Sequence, residues 1–202
     1  MSKQIKIILA SHNENKLIEF ENILKKFHIK PLLLKNFTSI VPKENGKSFE
    51  ENALIKSRFA SKVVNHSMPS LADDSGLCIK NLNNQPGIYS RRWSEDNDYV
   101  KAYNKIKNSL EKKNITMNNQ VAKFVCVLAF IDIDKKEHLY KGTLEGRIIF
   151  PPRGIFGFGY DPIFVPNGYN KTLAELKPSI KNSISHRRKA IKKLLSNKLF
   201  KI

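Results

Sequence analysis

The stretch that most constrains the fold is the first two dozen residues. Gln4 to Ala10 is a nearly unbroken apolar run, a short polar loop follows, and Lys16 to Phe27 then carries apolar side chains at 17, 20, 23, 24 and 27. The run reads as a buried strand and the spacing of three and four as an amphipathic helix. Strand, loop, helix is the opening of an α/β unit. Further along, Phe49 to about Val64 is predicted as a second helix, with Ser48 and Glu51 spaced as a capping box. Ser70–Ala72 and Leu77–Ile79 read as short strands on either side of a turn, Asp73-Asp74-Ser75-Gly76. Asp96 to Lys112 has the pattern of a polar helix. Val121–Asp132 and His138–Phe150 read as two long strands joined around Asp134-Lys135-Lys136, hence a hairpin. A last helix is expected from near Ser183, with Ala190, Ile191, Leu194, Leu195 and Leu199 on its apolar side. No repeat, linker or composition break divides the chain, so residues 1–202 are expected to form a single domain.

Bulk composition narrows the function classes. With 202 residues and 41% hydrophobic content the chain can bury a substantial core. No apolar run approaches the ~20 residues of a membrane span. Met1 to Lys6 has no signal-peptide apolar region. Cys78 and Cys126 form no C-x-x-C, so neither a zinc knuckle nor a redox pair is indicated, and a reducing cytoplasm is the expected location. The net charge of +18 invites a nucleic-acid reading. Against it, lysine, asparagine and isoleucine make up 71 of 202 residues, the mark of a broad compositional bias toward residues with A/T-rich codons. The basic C-terminal segment, free of acidic residues after Glu175, also has the spacing of an ordinary helix with a solvated face. Nucleic acid is therefore not the expected partner.

Three motifs point to chemistry. Ser11-His12-Asn13-Glu14-Asn15-Lys16 lies where the first strand meets the first helix, where unpaired N–H groups attract phosphate. A plain helix cap by Ser11 or Asn13 accounts for the same residues. Leu71-Ala72-Asp73-Asp74-Ser75-Gly76-Leu77 sets two carboxylates side by side, a repulsive arrangement that a cation relieves. Magnesium, held by one or two carboxylates plus substrate phosphates, suits it; an Asx-turn is the plainer reading. Glu44, Glu50 and Glu51 are further candidates for that ion, although Glu51 fits a helix cap equally well. Phe158-Gly159-Tyr160-Asp161-Pro162, followed by Lys181, His186 and Arg187, supplies π-faces, an acceptor and donors for a flat base. A strand-edge turn with core aromatics is the alternative. Gly46-Lys47-Ser48 is no Walker loop, because Val41 stands where that pattern needs glycine.

Taken together, these motifs resemble the inosine triphosphate pyrophosphatase family from Ile7 to about Leu195. Ser11-x-Asn13-x-x-Lys16, Phe49-Glu50-Glu51-Asn52-Ala53, Ala72-Asp73-Asp74-Ser75-Gly76-Leu77, Pro86-Gly87-Ile88-Tyr89-Ser90, Phe158-Gly159-Tyr160-Asp161-Pro162 and Ser185-His186-Arg187 stand in that family's order. The resemblance implies a mixed α/β fold with a long curved sheet, flanking helices and two lobes around a central cleft. It implies hydrolysis of inosine, deoxyinosine and xanthosine triphosphates to monophosphate and pyrophosphate, with Mg2+, in a homodimer. It gives Ser11, His12, Asn13, Glu14, Asn15, Lys16 and Lys56 to the triphosphate. Asp74 becomes the proton acceptor and a metal ligand, and Ser75 a substrate contact. Phe158, Gly159, Tyr160, Asp161, Lys181, His186 and Arg187 hold the base. Lys43-Glu44 stands where the family often has two acidic residues, which leaves the second metal ligand open between Glu44 and Glu51. Phe156 replaces a frequent glycine, and Ile180 a frequent acidic residue. A pyrophosphatase for modified pyrimidine triphosphates would share the fold but lack Phe-Gly-Tyr-Asp and Ser-His-Arg.

Overall fold

The computed structural model describes residues 4–197 apart from His12, Asp96 and the side chain of Asn15. Strand β1 (Ile5–Leu9) leads to helix α1 (Glu14–Leu24), β2 (Ile29–Leu33) and α2 (Phe49–Val63). There follow β3 (Ser70–Ile79), a single turn α3 (Ser90–Trp93) and α4 (Tyr99–Glu111). The chain then forms β4 (Gln120–Ile131), β5 (Glu137–Ile148), β6 (Phe164–Pro166), α5 (Pro178–Ile184) and α6 (His186–Ser196). The strands make one open six-stranded sheet in the order β2-β1-β3-β4-β5-β6. It is mixed: β1 runs parallel to β2 and β3, and β5 antiparallel to β6. Among the described residues no helix is long and apolar enough to cross a membrane.

The chain divides into two compact units. The first comprises residues up to Asp74, Cys126–Lys141 and the segment from Ala190 on. Here β1 is covered on both faces, which is why its sequence is continuously apolar. Ile7 and Leu9 pack with Phe20, Leu24 and Leu71 beside Ala190, Ile191 and Leu194 of α6. Ile8 and Ala10 face the other way, onto Leu34, Ala60, Val64 and Ala72. The second unit comprises Ser75–Val125 and Gly142–Lys189. Its core joins Leu77 and Ile79 to the α4 stripe Ala102, Tyr103, Ile106 and Leu110, with Leu144, Tyr160, Ile163 and Phe164.

Three expectations are corrected. The predicted turn Asp73-Asp74-Ser75-Gly76 is the middle of the ten-residue strand β3. Placement of β3 inside the sheet, between β1 and β4 in the strand order, overrides the local turn preference of Asp, Ser and Gly. The single C-terminal helix is instead α5 and α6, broken at Ser185, whose hydroxyl accepts from the Arg188 amide at 3.1 Å and restarts the helix. The polar helix begins later than Asp96, with Asp98 capping α4 through the Val100 amide at 3.0 Å. The predicted apolar position Leu199 lies outside the described residues.

The basic face of α6 is partly engaged. Lys189 Nζ donates to the Thr143 carbonyl at 2.9 Å, and Lys193 Nζ to the Lys141 carbonyl at 2.7 Å. On the same strand, the Glu145 carbonyl accepts from the Asn167 amide at 3.0 Å, just past β6.

Candidate active site

Period two along β3 sends its adjacent carboxylates to opposite faces of the sheet. Asp73 shares the Leu71 face, covered by α1; Asp74 shares the Ala72 face, covered by α2. Each covering helix contributes one lysine. Lys16 Nζ of α1 lies 2.9 Å from Asp73 Oδ1, and Lys56 Nζ of α2 lies 2.7 Å from Asp74 Oδ1. The repulsion expected between neighbouring aspartates is thus relieved within the protein, one ion pair per face.

The loop before α1 is tightly turned. Ser11 Oγ accepts from the Asn13 amide at 3.0 Å, and Asn13 Oδ1 caps α1 by accepting from the Lys16 amide at 3.3 Å. Glu14 turns outward to Lys35, whose hydrogen bond holds its carboxyl below the usual range. His12 and the Asn15 side chain lie outside the described residues.

Around Asp74 the site is dense. Lys56 is also 3.4 Å from Glu44 Oε1, so one buried ammonium faces two carboxylates. Burial raises Asp74 to about 6 despite Lys56, and Glu44 adds to the rise. Burial works against the charge on Lys56, yet Asp74, Glu44 and Asp73 together hold it above its ordinary value. The loop bearing Glu44 is fixed by Asn52, a fully buried residue of α2. Its Oδ1 accepts from the Gly46 amide at 2.9 Å, while its Nδ2 makes a long contact, 3.5 Å, with Asp74 Oδ2. A side chain at Gly46 would come within 2.7 Å of both Asn52 Oδ1 and Glu51 Cβ.

Glu51 is occupied as a cap: Ser48 Oγ accepts from its amide at 3.1 Å, and its Oε2 accepts from the Lys47 amide at 2.6 Å. Glu50 pairs with Lys141 at 3.1 Å. Ser75 follows Asp74 on β3 and is half-buried. No cluster of three or more His, Cys, Asp or Glu side chains able to hold a metal occurs among the described residues. Asp74 and Glu44, gathered on one ammonium, still match the one or two carboxylates that magnesium takes from a protein when phosphates complete its shell. The donor set fits such an ion.

The second motif group lies wholly in the second unit. Asp161 is buried, and its Oδ2 accepts from the Phe158 amide at 2.9 Å and from Lys181 Nζ at 2.7 Å. That ammonium also sits 4.6 Å from the centre of the Phe158 ring, a cation–π arrangement. Gly157, at φ +82, is the one residue type that fits beside this pair, because a Cβ there would fall 2.2 Å from Asp161 Oδ2. Tyr160 is buried, donating its hydroxyl to the Ser90 carbonyl at 2.8 Å and meeting Tyr99 edge-on at 5.3 Å. It is a core residue, which leaves the half-buried Phe158 as the ring available for stacking. His186 stacks on Phe124 at 4.9 Å, and Arg187 is buried beside it in sequence.

The structure therefore gathers Asp74, Lys56 and Glu44 in one group, Lys16 with Asp73 in a second, and Phe158, Asp161 and Lys181 in a third. Sequence reasoning gave no role to Asn52 or to Tyr103, whose hydroxyl donates to the Gly159 carbonyl at 2.6 Å. A polar residue on the buried stripe of α2, in step with Lys56 and Ala60, was the available signal for Asn52.

Residues 7–197 match the model of the Ham1 family. The dITP/XTP pyrophosphatase of Bacillus subtilis (strain 168) is 42% identical over 190 residues, covering 93% of each chain. That of Zymomonas mobilis subsp. mobilis is 40% identical over 192 residues, covering 95% of this chain and 90% of its own. Among solved structures, a HAM1 protein from Coxiella burnetii has a TM-score of 0.85 at 38% identity, over 95% of this chain and 97% of that one. The Ham1 protein of Staphylococcus aureus gives 0.81 at 37% identity, over 95% and 96%. Sequence and backbone agree along almost the whole length, and the chain belongs to the Ham1 family.

Proposed function

We propose that this protein hydrolyses non-standard purine nucleoside triphosphates, those of inosine, deoxyinosine and xanthosine, to the monophosphate and pyrophosphate. The observation that carries the reading is the buried Asp74, poised by burial at about 6 and flanked by Lys56 and Glu44. A carboxylate so tuned is a better proton acceptor near neutral pH than an exposed one, yet remains mostly ionised there. In this reading Asp74 orients and deprotonates the water that attacks the α-phosphorus. Lys56, Lys16 and the Ser11–Lys16 loop hold the triphosphate, and the departing pyrophosphate keeps its charge against those lysines. Asp74 and Glu44, with Glu51 left as a helix cap, would hold Mg2+, which when bound supplies charge neutralisation for the phosphates.

Phe158 stacks the purine, while Lys181, His186 and Arg187 supply donors for a keto oxygen at C6; Gly159, Tyr160, Asp161 and Ser75 shape that site. The names of the relatives, dITP/XTP pyrophosphatase, support the substrate class. The complete Phe158–Asp161 loop disfavours a pyrimidine substrate. The engagement of Lys189 and Lys193 with strand carbonyls disfavours nucleic acid. A single catalytic domain, a homodimeric state and a cytoplasmic location belong to the same proposal. Its test is direct: inosine triphosphate and ATP are incubated separately with the protein and magnesium, and pyrophosphate and orthophosphate are measured independently. Initial release of orthophosphate and nucleoside diphosphate would refute it.

A further inference from the structure

The loop proposed to read the base is held from outside by α4. Tyr103, on the buried stripe of that helix, donates its hydroxyl to the Gly159 carbonyl at 2.6 Å. One turn earlier, the Tyr99 ring lies 3.5 Å from where a Gly159 Cβ would sit. Gly159, at φ +69, carries no Cβ to restrain the peptide that follows it. In a trans peptide the N–H points opposite to the C=O. Fixing the Gly159 carbonyl on Tyr103 therefore aims the Tyr160 N–H away from α4. Among the described residues that N–H donates to no protein group. Of the loop's other acceptors, the Asp161 carboxylate is taken by the Phe158 amide and Lys181, the Phe158 carbonyl by the Asp161 amide and the Tyr160 carbonyl by the Ile163 amide. What the loop can offer a ligand is thus donor-rich.

We infer that Tyr103 is a positioning residue for base selection, setting the Gly159–Tyr160 peptide so that the loop meets the purine edge with a donor rather than an acceptor. The inference rests on the proposed function. A keto group at C6 is rewarded by such an edge, and an amino group leaves it unpaired. Without the tyrosyl hydroxyl the glycine peptide is free to turn over and present its carbonyl, the orientation an amino purine prefers.

The test is Tyr103→Phe, with kcat and KM measured separately for inosine triphosphate and ATP. For inosine triphosphate, kcat/KM should fall about tenfold, the scale of one well-made hydrogen bond, chiefly through KM. ATP should hold or improve, so the ratio narrows. Tyr99→Phe removes a hydroxyl from the same helix other than the one that holds the Gly159 carbonyl, and should leave the ratio unchanged. Gly159→Ala keeps the Tyr103 hydroxyl but disfavours φ +69, so it should shift the Gly159 carbonyl off that hydroxyl and narrow the ratio as well, whether or not Tyr103→Phe folds. A parallel loss for both nucleotides, or an unchanged ratio in the variants at 103 and 159, overturns the inference while leaving the proposed function intact. Failure of the wild-type protein on inosine triphosphate overturns both.

Discussion

Replacing Lys56 by methionine keeps a stem of similar reach and removes only the cation. Asp74 is then left on the α2 face of β3 with no ammonium at 2.7 Å. At that separation and an effective dielectric of 20, the lost attraction is about 6 kcal/mol. Desolvating the lysine had offset part of it, so the expected loss of stability is that of breaking a buried pair, about 3–5 kcal/mol. The carboxyl has one escape, to bind a proton. Its folded value, about 6, already lies above the unfolded 3.8, so its contribution is complete below 3.8 and is lost as pH rises toward 6. Removing Lys56 raises the folded value further and extends that loss to higher pH. The deficit of Lys56→Met should therefore be largest near pH 8 and shrink markedly by pH 5. Urea unfolding in the presence of a chelator measures it, and a loss of 3 kcal/mol corresponds to a Tm shift of about 6–12 °C. Adding Asp74→Asn removes the stranded charge, and the double variant should recover to within about 1–2 kcal/mol of wild type. If Lys56→Met is as stable as wild type at pH 8, or if the double variant is no better than the single, the paired-charge account of this site is wrong.

Asp74→Asn alone keeps the shape and loses the proton acceptor; kcat should fall by about 10²–10⁴-fold, and steady-state turnover within tenfold of wild type would remove Asp74 from the mechanism. Gly157→Ala drives a methyl into Asp161 and Lys181, so kcat/KM for inosine triphosphate should drop at least about tenfold. Circular dichroism should show the fold retained, and undiminished kcat/KM would mean that the Asp161–Lys181 pair does not shape the base site. On the surface, Arg58 forks onto Glu137 through Nε and Nη2 at 2.6 and 2.7 Å, and Arg58→Ala should cost no more than about 1 kcal/mol at pH 7. That hydrogen bond holds Glu137 below 4.5, so its stabilisation is present above 4.5 and lost as pH falls through the lowered value. Denaturation curves of the two proteins should converge near pH 3; a gap that persists there would assign the effect to packing.

The elements that carry their own periodicity were legible in the chain. β1, α2 with its Ser48 cap, and the long β4–β5 pair lie within a residue or two of where spacing alone puts them. β3 was misread because Asp-Asp-Ser-Gly has the local chemistry of a turn, whereas its conformation is that of a strand inside the sheet. The same distance effect hid the geometry of the site. Lys16 is 57 residues from Asp73 and Lys56 is 18 from Asp74, separations at which no short window relates one charge to the other. Tyr160 looked like a stacking platform because an aromatic beside glycine suits a base. Burial against Tyr99, and the hydroxyl bonded to Ser90, are facts of tertiary packing. Asn52 and Tyr103 act on backbone groups, the Gly46 amide and the Gly159 carbonyl, and a sequence names no backbone partners.

The two lysines of α6 bear on a different hazard. β6 pairs with β5 at Gly146, Arg147 and Ile148, and Asn167 reaches one carbonyl further, at Glu145. Residues 143 and 141 continue the same edge, with their carbonyls facing the same way as that of Glu145. Such an edge is a template on which a strand of another chain could grow. Lys189 and Lys193 stand four residues apart, about 6 Å along a helix, close to the two-residue repeat of a strand at about 6.8 Å. Their ammonium groups take those two carbonyls one after the other. Part of the large positive charge of this protein therefore serves as insulation, closing this stretch of sheet margin to pairing by a foreign strand without a seventh strand.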